Sequence, residues 1–174
     1  SLKKENNVIG ISRSKSPTTT FTCDISSEKD LKRVIKKIKK IDILINNASI
    51  TNVSKNIIRN FEKTILTNLN GTFYSSHISL SKLAKSKNAS IINISSINAH
   101  IGFPNNPGYV ASKGGVNSLT RALSLDYAKY NVRVNSISLG YISSGMSQAS
   151  FFDKRKKKIR EKNTILNKWG SESD

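Results

Sequence analysis

Short apolar runs alternate with longer helical patterns along this chain. Residues 8–11, Val-Ile-Gly-Ile, predict a buried strand, and 21–25 predict the next. Over 27–40, Leu31, Val34, Ile35 and Ile38 fall at helical spacing, with lysines mostly on the other face. Residues 41–45 predict a third strand, 90–94 a fourth and 132–138 a fifth. Residues 59–86 carry a long, mostly helical pattern whose apolar face holds Phe61, Ile65, Leu69, Phe73 and Leu80. That face reads as core and subunit contact. A second long helix spans 109–130 and stops before Asn131, a reasonable terminator. Strands alternating with helices predict an α/β fold of three layers, with a mostly parallel sheet and right-handed crossovers.

The stretch from Ser96 to Lys113 holds the candidate chemistry. The predicted strand 90–94 delivers Ser96 at its carboxyl end, and a loop rich in Pro, Gly and Asn follows. Tyr109 and Lys113 are four apart, so on a helix they share one face. A phenol beside a fixed ammonium suits acid/base work, and the positive charge is expected to pull the Tyr109 pKa below ~10. A hydroxyl from the strand end can hold a carbonyl oxygen beside that phenol. Each residue alone also has a plain reading, since Tyr-x-x-x-Lys recurs by chance and Ser95-Ser96 can simply end a strand. The order strand, Ser, loop, Tyr-x-x-x-Lys and then Gly114-Gly115 is more demanding. Glycines inside a helix cost ~1 kcal/mol each against Ala, so they point to close backbone approach.

Five motifs carry a resemblance: Asn46-Asn47-Ala48-Ser49, Asn68-Leu69-Asn70-Gly71, Ile91-Ile92-Asn93-Ile94-Ser95-Ser96, Tyr109-Val110-Ala111-Ser112-Lys113 and Asn135-Ser136-Ile137-Ser138-Leu139-Gly140. In order and spacing the chain resembles the short-chain dehydrogenase/reductase family, in its single-domain branch near the 3-oxoacyl-(acyl carrier protein) reductases. The resemblance implies a Rossmann-like fold and reversible hydride transfer between NADP(H) and a carbonyl or secondary alcohol. Tyr109 would exchange the hydroxyl proton, Lys113 would lower its pKa and hold the nicotinamide ribose, and Ser96 would position the oxygen. Asn68 matches the family's catalytic Asn, which uses a helix kink to hold a water in a proton relay. Cofactor contacts carry over to Arg13, Asp24, Ile25, Asn46, Ala48, Gly140, Ile142 and Ser144, with Tyr109 and Lys113. Asp24 would meet the adenine amino group or else cap the next helix, a role open to Ser26 and Ser27 too. Arg13 stands where an acidic residue would hold the 2′-hydroxyl of NAD, so NADP is expected, with NAD as the alternative. Ser49, Leu139 and Ser144 replace the family's usual Gly, Pro and Thr.

The resemblance also implies what is missing. No Gly-rich phosphate turn precedes the first strand, where Gly10 is alone. The family's last strand is absent too. The 174 residues therefore read as a partial dinucleotide-binding domain, cut at both ends and doubtful in activity alone, with 147–168 as the substrate lid. A homodimer or homotetramer built on the two long helices is implied. A non-catalytic remnant of the fold is the alternative.

Charge adds one competing class. The formal net charge of +18 raises a polyanion-binding protein, but lysine is spread along the chain and accompanies abundant Asn and Ile, which AT-rich codons explain. Neither nucleic acid nor membrane is expected as a partner. The densest run, Lys154-Arg155-Lys156-Lys157-Lys158 within 151–162, suits a solvated lid helix or a patch for an anionic group. No apolar run approaches ~18 residues, Ser1 to Asn7 is polar, and the single Cys23 fits a reducing compartment, so a cytoplasmic protein is expected. No metal is expected: His77 lacks ligands at useful spacing, and His100 and Phe103 take no chemistry.

Overall fold

The computed structural model describes residues 6–51, 54–143 and 145–174. They form two compact units that divide between Ile137 and Ser138. Five strands and six helices follow in order: β1 (Ile11–Ser12), β2 (Phe21–Thr22), α1 (Glu28–Ile35), β3 (Ile43–Asn46), α2 (Ile57–Ile65), α3 (Gly71–Leu83), β4 (Ser90–Ser96), α4 (Pro107–Ala128), β5 (Arg133–Leu139), α5 (Gln148–Phe152) and α6 (Lys154–Lys162). β1 pairs parallel with β2, and a second sheet runs β3-β4-β5, with Ile43 opposite Ser90 and Asn46 opposite Asn93. The α/β class with parallel pairing is as the alternation predicts.

Two apolar clusters hold the first unit. One gathers Leu83 of α3, Ile91 of β4, Leu123 and Tyr127 of α4, and Val132 and Val134, with Leu44 of β3 against it. The other gathers Cys23, Leu31 and Val34, with Tyr74 and Ile78 of α3 against it. Helix α3 therefore contributes to both. Along a strand, successive side chains point to opposite faces. Ile91, Asn93 and Ser95 are buried, whereas the alternate positions Ile92 and Ile94 are only partly covered. On β3, Ile43 and Ile45 stay 54% and 41% exposed. Among the described residues, that face of the sheet is apolar and open.

Element ends differ from the sequence pattern for identifiable reasons. The strand expected over 8–11 is paired only at Ile11–Ser12, because the ladder starts where Phe21 N–H donates to the Gly10 carbonyl at 3.0 Å. Val8 and Ile9 precede it, unpaired and exposed. The strand expected over 21–25 ends when the Cys23 N–H donates to Ser12 O at 2.9 Å, after which Asp24 turns the chain. Helix α1 begins as expected, with Ser27 as N-cap accepting from Asp30 N–H at 3.2 Å, but stops at Ile35 in a run of turns. The single helix expected over 59–86 is three segments: α2, a π-helical turn at Leu66–Asn70, and α3. Asn131 terminates the α4 region with φ +56°, a conformation Asn tolerates.

Glycine marks the closest helix approach, at a position the pattern did not single out. A Cβ on Gly108, in the first turn of α4, would stand 2.9 Å from the Phe61 Cα of α2. Only a residue without a side chain fits against that backbone. Gly115 meets the Leu69 side chain instead, and Gly114 has ordinary contact with Ala99 O at 3.8 Å.

Candidate active site

The last residues of β4 are joined to the first two turns of α4. Lys113 Nζ donates to Ile94 O at 2.7 Å, Ser95 Oγ donates to Lys113 O at 3.3 Å, and the Ser96 hydroxyl lies near enough to Tyr109 to draw the phenol pKa down. Ser96 Oγ also accepts from Asn98 N–H at 3.2 Å, fixing its rotamer at the strand end. Pro107 opens α4 with its φ already set for a helix, which places Tyr109 one turn before Lys113. The ammonium lies 5.6 Å from the centre of the Tyr109 ring. Three of the expected catalytic residues are thus brought together.

Asn68 is connected to them through one hydroxyl. Its Oδ1 accepts from Ile50 N–H at 2.8 Å, and its Nδ2 donates to Ile50 O at 3.0 Å and to Ser112 Oγ at 3.1 Å. Ser112 Oγ in turn donates to Tyr109 O at 2.8 Å. Asn68 is 1% exposed and lies in the π-helical turn. Its carboxamide clamps the loop after β3 and holds α4 rather than projecting free. Its backbone carbonyl accepts from Thr72 Oγ1 at 2.7 Å.

The electrostatics reverse one expectation. Burial pushes the Tyr109 phenol above its ordinary value, opposed by the Ser96 hydroxyl, so Lys113 does not pull it down here. The ammonium has turned to a carbonyl, and burial lowers its own pKa to about 8. Lys113 is 4% exposed, with no carboxylate against it among the described residues. Its Nζ has further N–H donors beyond the one given to Ile94. A buried cation with spare donors calls for a polar ligand. The paired hydroxyls of a ribose fit that need.

The other expected cofactor contacts divide. Asp24 Oδ1 accepts from Ser26 N–H at 2.9 Å and Ser26 Oγ at 2.7 Å, which with the nearby Arg13 charge lowers its pKa. Asp24 therefore shapes the turn before α1 while Ser27 caps the helix. Arg13 is exposed beside it. The Ile25 side chain lies against Gly71. Asn46 Nδ2 donates to Asn93 Oδ1 at 2.8 Å and Ser76 Oγ at 3.0 Å, and Ala48 is exposed after it. In the second unit, Ile142 bridges to Gly170. Among the described residues, none beyond its chain neighbours comes within 4 Å of a Cβ on Gly140. Ser144 lies outside the described residues. Among the described residues no group of His, Cys, Asp or Glu could hold a metal ion. Asn93 lies within one of the five motifs, which by itself assigns it no role. It ties Asn46 to Thr120 Oγ1 of α4 at 2.9 Å, and its signal was an Asn inside an apolar strand.

Residues 3–155 match the short chain dehydrogenase family. The chain belongs to the short-chain dehydrogenase family. Members of this family bind NAD(P). The chain is 33% identical to a 3-oxoacyl-(acyl-carrier-protein) reductase of Rickettsia felis over 163 residues, covering 92% of this chain and 64% of that protein. It is 32% identical to the oxidoreductase YxbG of Bacillus subtilis, covering 95% and 63%. The aldohexose dehydrogenase of Thermoplasma acidophilum, solved without ligand, superposes with a TM-score of 0.86 at 25% identity, covering 98% of this chain and 74% of that one. The chain spans about three fifths of the length of the curated relatives it matches. Among the described residues no helix is long and apolar enough to cross a membrane.

Lys113 sets a pH dependence of stability for this short-chain dehydrogenase chain. Its folded pKa of about 8 lies below the ordinary 10.5, so between those values the unfolded chain holds a proton that the folded chain has released. Stability should therefore rise with pH across that window, by up to about 3 kcal/mol from this group. Urea midpoints of wild type and Lys113→Met at several pH values should diverge in favour of wild type as pH climbs. Parallel curves would refute the assignment.

Proposed function

We propose that Ser96, Tyr109 and Lys113 serve reversible hydride transfer between NADP(H) and a carbonyl or secondary alcohol. The observation that carries this reading is the junction of β4 and α4, which puts a hydroxyl, a phenol and a buried ammonium side by side. The nicotinamide supplies or takes up the hydride when bound. The residues of this chain handle the oxygen and its proton. Ser96 hydrogen-bonds the substrate oxygen. Tyr109, kept neutral by its surroundings near pH 7, gives that oxygen a proton during reduction and removes one during oxidation. Lys113 directs its spare N–H donors to ribose hydroxyls and holds the ring beside the phenol. Asn68 presents its backbone carbonyl to a water that refills the Tyr109 proton.

NADP is preferred over NAD in this proposal because Arg13 is an exposed guanidinium suited to a bidentate phosphate contact. Small-molecule carbonyls and alcohols are the substrate class. Exposed Ile58, Phe61, Leu66 and Phe73 on the α2–α3 stretch and Leu125 on α4 form the faces proposed for a homodimer or homotetramer.

The full-length protein should bind NADPH and reduce a reactive diketone, and Tyr109→Phe should lose about 100-fold or more in kcat while nucleotide Kd stays within about 2-fold. Undiminished turnover in that variant would remove Tyr109 from the chemistry. Arg13→Ala should weaken NADPH by at least about 10-fold and leave NADH unchanged, the loss expected for a charged hydrogen bond. Equal or tighter NADH in the wild type would overturn the NADP preference. By light scattering, Phe73→Glu with Leu125→Glu should shift the oligomer to monomer. An unchanged mass would reject those faces.

A further inference from the structure

Tyr109 stands where a helix is least secure. The first amides of a helix have no carbonyl one turn behind them, and a side chain at the N-cap ordinarily accepts from one of them. In α4 the cap is Asn106, among the residue types that cap best, yet its side chain makes no such bond. Pro107 has no amide hydrogen to offer, and the first intrahelical bond runs from Val110 N–H to Asn106 O at 3.2 Å. The amides of Gly108 and Tyr109, which a capping side chain would meet, receive nothing from it. The Asn106 carboxamide is directed elsewhere. The residue is 5% exposed, and its Nδ2 donates to Thr51 Oγ1 at 2.6 Å, across 55 positions of sequence. Its Oδ1 is buried with no hydrogen-bond partner among the described residues. Asn105 turns the chain just before it, with φ +59°. Two successive residues thus carry a cap that does not cap, a buried acceptor without a donor and a left-handed backbone. Local rules are broken in this way where a site needs a particular geometry.

Thr51 is a fixed point for that amide to hold. Its neighbour Ile50 is gripped through both N–H and C=O by Asn68, so the loop after β3 is fastened to the π-helical turn. Asn106 extends that hold to the start of α4. On another side, Gly108 rests on the Phe61 backbone with no room for a Cβ. The turn that carries Tyr109 is therefore braced by groups outside α4 and not by a cap of its own. We propose that Asn106 is a positioning residue for Tyr109, tying the first turn of α4 to Thr51 instead of capping it. Its kinetic consequence rests on the hydride-transfer reading. Proton transfer to a substrate oxygen depends steeply on placement, and a shift of about 1 Å can cost about 100-fold in rate. Asn106 acts through the Tyr109 turn and not on the substrate, so its loss should appear in kcat rather than in binding.

Variants of the full-length protein test it. Asn106→Ser keeps a good capping residue but loses the amide that reaches Thr51, Thr51→Val removes the acceptor at similar volume, and Thr51→Ser keeps the hydroxyl. Asn106→Ser and Thr51→Val should each lower kcat at least about 10-fold while KM and NADPH Kd stay within about 2-fold, and the double variant should fall no further than either single one. Thr51→Ser should hold kcat within about 2-fold of wild type. The melting temperature of Asn106→Ser should not drop below wild type, because the serine can cap α4. Unchanged kcat, additive losses in the double variant, or a fall in kcat that only tracks the melting temperature would each overturn the proposal. Hydrogen exchange reads the same brace without turnover. Thr51→Val should speed exchange of the amides of residues 110–113 at least about 10-fold and leave residues 120–128 within about 2-fold, whereas Thr51→Ser should change neither. If the wild type neither binds NADPH nor turns over, the hydride-transfer reading fails and exchange alone decides the brace. Equal protection of residues 110–113 in Thr51→Val would overturn it.

Discussion

A buried amine with no carboxylate against it among the described residues is the constraint around which the first unit is arranged. Lys113 can stay inside only because the Ile94 carbonyl meets it, and Ile94 can do so only because β4 ends against the first turns of α4. An unpaired buried ion is costly, so the polar groups around it must be held in place by something other than the ion. Here that support comes from outside the pair. Gly108 lets α4 close onto the backbone of α2, and Asn68 reaches from the π-helical turn through Ser112 to the carbonyl of Tyr109. On the other side, Asn46, Asn93 and Thr120 run a buried chain of hydrogen bonds from β3 through β4 to α4. Ser96, Tyr109 and Lys113 thus stand on regular elements, each held from behind by hydrogen bonds or close packing.

The parts legible in the sequence are those that depend on local periodicity. Tyr109 and Lys113 could be placed on one helical face because the i, i+4 relation needs no tertiary information. The same holds for α1, where Leu31 and Val34 mark the inner side and Ser27 the start. Strand lengths were less legible, since a ladder lasts only as long as its partner, and Val8 and Ile9 have none among the described residues. The π-helical turn at Leu66–Asn70 interrupts a pattern that reads as continuous helix, and it holds the Asn68 clamp on Ile50, a long-range contact that local periodicity does not carry. The direction of the Tyr109 shift failed for a related reason. Sequence supplies the sign of a neighbouring charge but not the depth of burial, and here depth wins. The contacts of Gly108 and Asn93 appear only when a second element arrives beside them.

The second unit obeys a different physical logic. Its interior is a stack of rings and cations, Tyr141, Trp169, Phe151, Arg160 and Lys157, with few aliphatic side chains. Planar guanidinium and indole surfaces pack well while leaving their charges partly hydrated. A small segment of very basic composition can therefore build a core out of the residues that would otherwise oppose it.

The open face of the sheet gives the chain's excess charge a physical role apart from recognition. Ile43, Ile45 and Ile137 present an apolar surface that would adhere to its like in any other molecule that approached it closely. A net charge of +18 on 174 residues makes such approach unfavourable at long range. That repulsion fades within a Debye length, roughly 8 Å at physiological ionic strength, so added salt weakens it while leaving the isoleucines as sticky as before. The dispersal of this chain in solution is then a colloidal balance between a screened cationic surface and an uncovered aliphatic one, and ionic strength decides which of the two prevails.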